Sequence, residues 1–200
     1  MAIQLVIFDI GGILIDVNFD NVIYYWAKKS GFPKIDIDVR NSTYFDFERG
    51  KASAHDYHQS IISQFDMNLS FDDFVIGWNS MLVGVKPGIE ILLKKLSHTK
   101  LAILSNTNPL HEKEFFKHYR KLMLNFDHLG FSHHLGLLKP EPEAYLVVLK
   151  HFGIYPSQTV FIDDKQENVD AAKSLGLYAI CSNSATDIVN RLTGIIDYER

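Results

Sequence analysis

Four short apolar runs, each halted by polar or turn-forming residues, constrain this chain more than any other feature. Ile3-Gln4-Leu5-Val6-Ile7-Phe8 stops at Asp9 and the pair Gly11-Gly12, and Leu101-Ala102-Ile103-Leu104 stops at Ser105-Asn106-Thr107-Asn108-Pro109. Thr159-Val160-Phe161-Ile162 stops at Asp163-Asp164, and Tyr178-Ala179-Ile180-Cys181 stops at Ser182-Asn183-Ser184. Runs of this length, bounded by turn formers, read as buried strands. Helical patterns fill the intervals: 87–97 opening on Pro87, 110–123, 141–152 before Gly153, and 166–175 before Gly176, with proline and glycine where helices start and stop. Strands alternating with helices give an α/β domain with a parallel sheet. The carboxyl ends of such strands share one edge, where ligands bind. Asp9, Ser105, Asp163 and Asp164 all stand at such ends, so residues far apart in sequence are expected to meet in one cleft.

The rhythm stops between residues 17 and 84. That stretch is rich in aromatic residues (Tyr24, Tyr25, Trp26, Phe45, Phe47, Tyr57, Phe65, Phe71, Phe74 and Trp78), and apolar positions recur at helical spacing, as in Tyr57, Ile61 and Phe65. No strand-like run is visible there. Turn signals at Gly31-Phe32-Pro33, Arg49-Gly50 and 68–70 divide it into about four helices. The expected organisation is a core of residues 1–16 and 85–200, interrupted after its first strand by a small α-helical cap of residues 17–84.

Composition excludes several classes of function. The 200 residues are 46% hydrophobic, enough for a core, and the net charge of −4 comes with scattered Lys and Arg. A nucleic-acid binder would carry a basic stripe. No apolar stretch reaches the length of a membrane span, and the first residues lack the basic segment and cleavage site of a signal peptide. Cys181 is the single cysteine, so no internal disulfide forms. A cytoplasmic protein handling small molecules, monomeric or weakly dimeric, is expected.

Four segments carry a resemblance: Phe8-Asp9-Ile10-Gly11-Gly12, Leu104-Ser105-Asn106-Thr107-Asn108, Lys139-Pro140-Glu141-Pro142, and Phe161-Ile162-Asp163-Asp164-Lys165-Gln166-Glu167-Asn168. In this order and at these element ends, they resemble the motifs of the haloacid dehalogenase (HAD) superfamily of hydrolases, across nearly the whole chain. The resemblance implies a Rossmann-like core, a helical cap after the first strand, and hydrolysis of small phosphate monoesters through an aspartyl-phosphate. Asp9 would be the nucleophile, splitting one hard step into two. Asp163 and Asp164 are adjacent acids whose repulsion a cation would relieve, and an all-oxygen donor set with a phosphate co-ligand fits Mg²⁺. Asp9, the carbonyl of Gly11 and Asp164 would hold the metal, Asp163 directly or through water. Ser105, Asn106 and Gly12 would bind the phosphoryl group, Lys139 would stabilise its charge, and Asn168 would orient the acids or a water.

One position departs from the pattern. Phosphatases of this kind carry a second Asp two residues after the nucleophile as general acid and base, a role worth about 10²–10⁴-fold; here that residue is Gly11. Three readings follow. The first is a phosphatase whose leaving group needs little protonation or finds another acid. In its favour, the Ser105–His111 run, the Glu48-Arg49-Gly50 segment and the Asp163-Asp164 pair resemble a subgroup acting on α-D-glucose 1-phosphate. The second is a 2-haloacid dehalogenase, which needs neither the second Asp nor the acidic pair. The third is a weakly catalytic relative that binds a phosphorylated ligand or a protein. Asp16, Asp20 and His111 are candidates to replace the missing acid. Five histidines (His111, His118, His128, His133 and His134) match no familiar zinc spacing. Glu48, Arg49 and some cap rings are candidates to face the cleft and select the substrate.

Overall fold

The computed structural model describes residues 2–31 and 38–195. In chain order, β1 (Leu5–Phe8) and β2 (Ile15–Val17) lead into helices α1 (Phe19–Ser30), α2 (Ser42–Glu48), α3 (Ala54–Phe65) and α4 (Phe71–Asn79), and β3 (Leu82–Val85) returns the chain. There follow α5 (Ile89–Lys95), β4 (Lys100–Ser105), α6 (Pro109–His118), α7 (Arg120–Met123), β5 (His128–Phe131), α8 (Ser132–Leu135) and α9 (Pro142–Phe152). The last elements are β6 (Thr159–Asp163), α10 (Gln166–Ser174), β7 (Tyr178–Cys181) and α11 (Ala185–Thr193).

The sheet runs β5-β4-β1-β6-β7 with every pairing parallel. All four residues of β1 are buried, as a central parallel strand requires when both faces are covered. The chain passes from β1 to β4 and β5 on one side, then crosses to β6 and β7 on the other. The switch falls beside β1, which places a cleft at its carboxyl end. One apolar cluster on the sheet includes Val6, Phe8, Ile103 and Ile162; another, with Tyr145, Val148 and Ala172, includes Leu5, Ile7 and Phe161. The alternation along β1 sends successive side chains to opposite faces.

The cap has its own cluster, in which Trp26 stacks on Phe74 and Trp78 at ring distances of 5.0 and 6.0 Å, with Phe47 against Tyr57 at 5.3 Å. Three differences from the sequence reading stand out. The β2–β3 ribbon is antiparallel and spans both expected cap boundaries; three- and four-residue strands leave too little pattern to detect. The strand β5, His-Leu-Gly-Phe, lacked an apolar run because it lies at the sheet edge. The expected helix 110–123 breaks at Tyr119, whose backbone is not helical (φ −120°, ψ 22°). Of the cap turn expected at Gly31-Phe32-Pro33, only Gly31 lies among the described residues, and it ends α1 at φ 69°. Among the described residues, no helix is long and apolar enough to cross a membrane.

Candidate active site

Asp9 directly follows β1, and its N–H donates to the Ile162 carbonyl at 2.9 Å, so the sheet itself fixes the backbone from which the carboxylate projects. The chain then turns sharply, with the N–H groups of Ile13, Leu14 and Ile15 converging on the Ile10 carbonyl at 3.3, 2.8 and 3.0 Å. Among the described residues, the N–H groups of Ile10 and Gly11 meet no backbone acceptor, and both residues line the cleft.

Gly12 plays a different part from the one expected. Its N–H donates to the Ile15 carbonyl at 2.9 Å, so it has none to offer a phosphoryl group. Its φ is +78°, and a Cβ there would collide with the Asp164 carboxylate. Gly12 thus lets the nucleophile turn and the Asp164 side chain approach each other. Gly12→Ala is expected to cost about 1–3 kcal/mol, from a left-handed backbone and the displaced Asp164. The loss would be read by urea unfolding, together with weaker magnesium dependence of turnover.

Lys139 lies at the centre of the site. Its ammonium is 2.8 Å from Asp9 Oδ1 and 2.6 Å from Asp163 Oδ2, with the side chain 1% exposed. Asn106 holds the lysine backbone from both ends: its amide donates to the Lys139 carbonyl at 2.9 Å, and its Oδ1 accepts the Lys139 N–H at 2.8 Å. That side chain is therefore occupied, and only the Asn106 backbone is left for a substrate. Asp163 is fully buried. It accepts from Lys139, from the Lys165 N–H at 2.8 Å, and from the Asn168 amide at 3.0 Å on each oxygen. The Asn168 amide thus holds both oxygens of Asp163. Asp163 is largely committed to positioning Lys139, whereas Asp164 is exposed and faces the nucleophile turn.

Burial pushes the Asp9 carboxyl above its ordinary pKa; Lys139 opposes this and Asp163 adds to it. Asp164 is raised for the same first reason and by Asp163. Lys139 is raised, because Asp9 and Asp163 together outweigh its burial. Three carboxylates around one buried ammonium leave negative charge in surplus. Oxygens of Asp9, Asp163 and Asp164 lie within 4.8 Å of one another. This all-oxygen set suits a hard divalent cation.

The other candidates for the missing acid separate clearly. Asp16 pairs with Lys86 at 3.3 Å, and Asp20 sits exposed in the first turn of α1. His111 is buried, stacked on Trp78 at 5.3 Å, and held down to about 4 by burial, so it is neutral near pH 7. His133 and His134 each lie 2.8 Å from Glu112 Oε2, a convergence the spacing did not disclose.

Glu48, at the end of α2, does reach the cleft and is 6% exposed. Burial pushes its carboxyl up to about 7, against Tyr44 and Lys165, which favour its charge. The native state therefore keeps a proton that the unfolded chain has released. The stability tied to that proton is complete below about 4.5 and is lost as pH rises through about 7. Glu48→Gln is expected to melt with wild type near pH 4 and above it near pH 8, by on the order of 2–3 kcal/mol, in thermal scans with chelator. Arg49, by contrast, turns to the core and pairs with Glu141. The sequence did not single out Glu141, Lys165 or Tyr44, the last two of which line the cleft, and Trp78 is one of the cap rings that reach it.

A family model described as haloacid dehalogenase-like hydrolase matches residues 3–176. The chain belongs to this family. The fold of this HAD-like hydrolase superposes on the HAD family enzyme bt-2542 from Bacteroides thetaiotaomicron with a TM-score of 0.84 and 28% identity, covering 96% of this chain and 99% of that one. A variant of that enzyme in complex with magnesium and inorganic phosphate gives a TM-score of 0.79 and 29% identity, covering 90% and 93% of the two chains. D-ribitol-5-phosphate phosphatase from Bacteroides thetaiotaomicron is 28% identical over 98% of this chain and 99% of its own.

Proposed function

We propose that this hydrolase is a magnesium-dependent phosphatase that cleaves small phosphate monoesters with Asp9 as the nucleophile. The observation that carries the proposal is the Asp9 carboxylate 2.8 Å from a buried ammonium, in a cleft also lined by Asp164 and by Ile10 and Gly11, whose N–H groups meet no backbone acceptor among the described residues. Lys139 and those N–H groups would receive the phosphoryl oxygens as Asp9 attacks, while the Ser105 hydroxyl, which also lines the cleft, would hold the phosphoryl group. Asp9, Asp164 and the Gly11 carbonyl would hold magnesium, with Asp163 through water because its lone pairs are committed. Bound there, the metal would supply positive charge to the phosphoryl oxygens.

The substrate is proposed to be a sugar or polyol phosphate. The cleft is small, about 190 Å³, and adjoins a cavity of about 590 Å³ lined by Phe19, Asp38, Arg40, Tyr44, Trp78 and Met81. Tyr44, Trp78 and Met81 border both, giving a path for a leaving group with polar and aromatic contacts. Glucose 1-phosphate is the leading candidate from the sequence motifs, and ribitol 5-phosphate enters from the relative's name. Action as a monomer or weak homodimer is proposed, and a single free cysteine fits the cytoplasm.

Phosphate release from a panel of phosphorylated metabolites tests the reading. Turnover that needs magnesium and disappears with chelator is expected. Halide release from 2-chloropropionate that ignores chelator would establish the dehalogenase reading instead.

A further inference from the structure

Gly11 has no side chain to protonate a leaving group, and the cap adds a carboxyl, Glu48, to the lining of the same cleft. Three consecutive residues bring it there. The Glu48 carbonyl lies 2.6 Å from the Ser132 hydroxyl of α8. Arg49 donates to the Gly136 carbonyl at 3.3 Å and to both oxygens of Glu141. Gly50, at φ +69°, passes so close to the His133 carbonyl that a Cβ would collide with it. The end of α2 is therefore docked on the core by its backbone and by Arg49, and this docking carries the Glu48 side chain into the cleft shared by Asp9, Gly11, Ser105, Lys139 and Asp164.

We propose that Glu48 is the general acid and base of this site, supplied by the cap in place of the residue missing at Gly11. The inference rests on the phosphatase reading. As Asp9 attacks phosphorus, the bond to the leaving oxygen breaks. Its electron pair stays on that oxygen, which takes the proton of Glu48. In the second step a water oxygen attacks phosphorus and passes a proton to the Glu48 carboxylate. The bond to Asp9 then breaks, returning a free Asp9 carboxylate, inorganic phosphate and protonated Glu48.

The surroundings suit both steps. Tyr44 on the same helix, Lys165 after β6, Lys139 before α9 and Asp9 after β1 act on the Glu48 carboxyl. The two lysines favour its charged form, while burial and Asp9 favour the protonated one, so the same carboxyl can give a proton and take one back. Among the described residues lining the cleft, His111 is neutral and stacked on Trp78, and Asp164 faces the nucleophile turn. Because Arg49 and Gly50 hold Glu48 in place, the acid is complete only when the cap is docked, which ties protonation to exclusion of water.

Leaving-group dependence separates this role from a structural one. Wild type, Glu48→Gln, and Glu48→Gln combined with Gly11→Asp are compared with magnesium. The probes are p-nitrophenyl phosphate, whose leaving group needs no proton, and the primary alkyl phosphate that wild type hydrolyses fastest. Gly11 has room for a side chain, since a Cβ there meets only Val17 Cγ1 at 3.6 Å. Glu48→Gln is expected to lower kcat/KM on the alkyl phosphate by about 10²–10⁴-fold. With p-nitrophenyl phosphate it is expected to give a burst of nitrophenol followed by slow turnover, because only the second step then lacks its base. Adding Gly11→Asp is expected to restore alkyl phosphate turnover at least in part. Equal losses on both probes without a burst, or full alkyl turnover in Glu48→Gln, would overturn the assignment of Glu48 alone. No magnesium-dependent turnover by wild type would overturn the phosphatase reading and this inference with it.

Discussion

Lys139→Met is expected to destabilise the protein by about 3–5 kcal/mol, the usual cost of removing one partner from a buried ion pair. Methionine fills much the same volume, so the loss isolates the charge. With the ammonium gone, Asp9 and Asp163 would face each other with no cation between them. Asp163 cannot relax toward water, because it is fully buried and held by Asn168 and the Lys165 N–H. The expected sign of a further effect follows. Magnesium should narrow the gap between variant and wild type, because a divalent cation among Asp9, Asp163 and Asp164 replaces part of the missing charge. Urea unfolding near pH 7, with and without magnesium, checks both statements. A loss under about 1 kcal/mol would mean that the lysine is not the shared partner of the two carboxylates. Turnover should fall as well, since among the described residues Lys139 is the one cation within 3 Å of the nucleophile.

Asp9→Asn is expected to behave in the opposite way. Turnover should fall by on the order of 10⁴–10⁶-fold, as when a covalent nucleophile is removed. Stability should hold or rise. Asp9 is the carboxylate whose charge burial and Asp163 both oppose, while Lys139 keeps its bond to Asp163 at 2.6 Å. An active site commonly carries such strain for the sake of its reaction. Circular dichroism melting alongside phosphate-release kinetics checks the pair of outcomes. A large loss of stability in Asp9→Asn would assign Asp9 a structural part.

Much of this architecture was legible because two signals were strong. Central parallel strands are apolar on both faces, so β1, β4 and β6 announced themselves as runs, and the polar residues that end them mark the cleft. The motif residues Asp9, Ser105, Lys139, Asp163 and Asp164 then came together at the carboxyl ends of β1, β4 and β6, as the alternation required. What escaped notice depends on distance rather than pattern. The edge strand β5 and the ribbon β2–β3 are short and carry weak periodicity. The occupation of the Gly12 N–H, and the commitment of Asp163 to Lys139, follow from hydrogen bonds that no spacing encodes. His111 read as a candidate acid because imidazole titrates near neutrality, but stacking on Trp78 and burial remove that property. Glu48 was legible as a cap residue that could face the cleft, but as a selector of substrate rather than as an acid. Its reach into the cleft depends on Arg49 meeting Glu141, residues separated by 92 positions.

The central claim is that residue 9 becomes covalently phosphorylated. Wild-type protein turning over p-nitrophenyl phosphate with magnesium is quenched in acid and reduced with borohydride, which converts an aspartyl-phosphate to homoserine. Mass spectrometry of the digested chain should find homoserine at position 9, and none in Asp9→Asn. Sustained turnover with residue 9 unmodified, or homoserine at position 163 or 164 instead, would contradict the account.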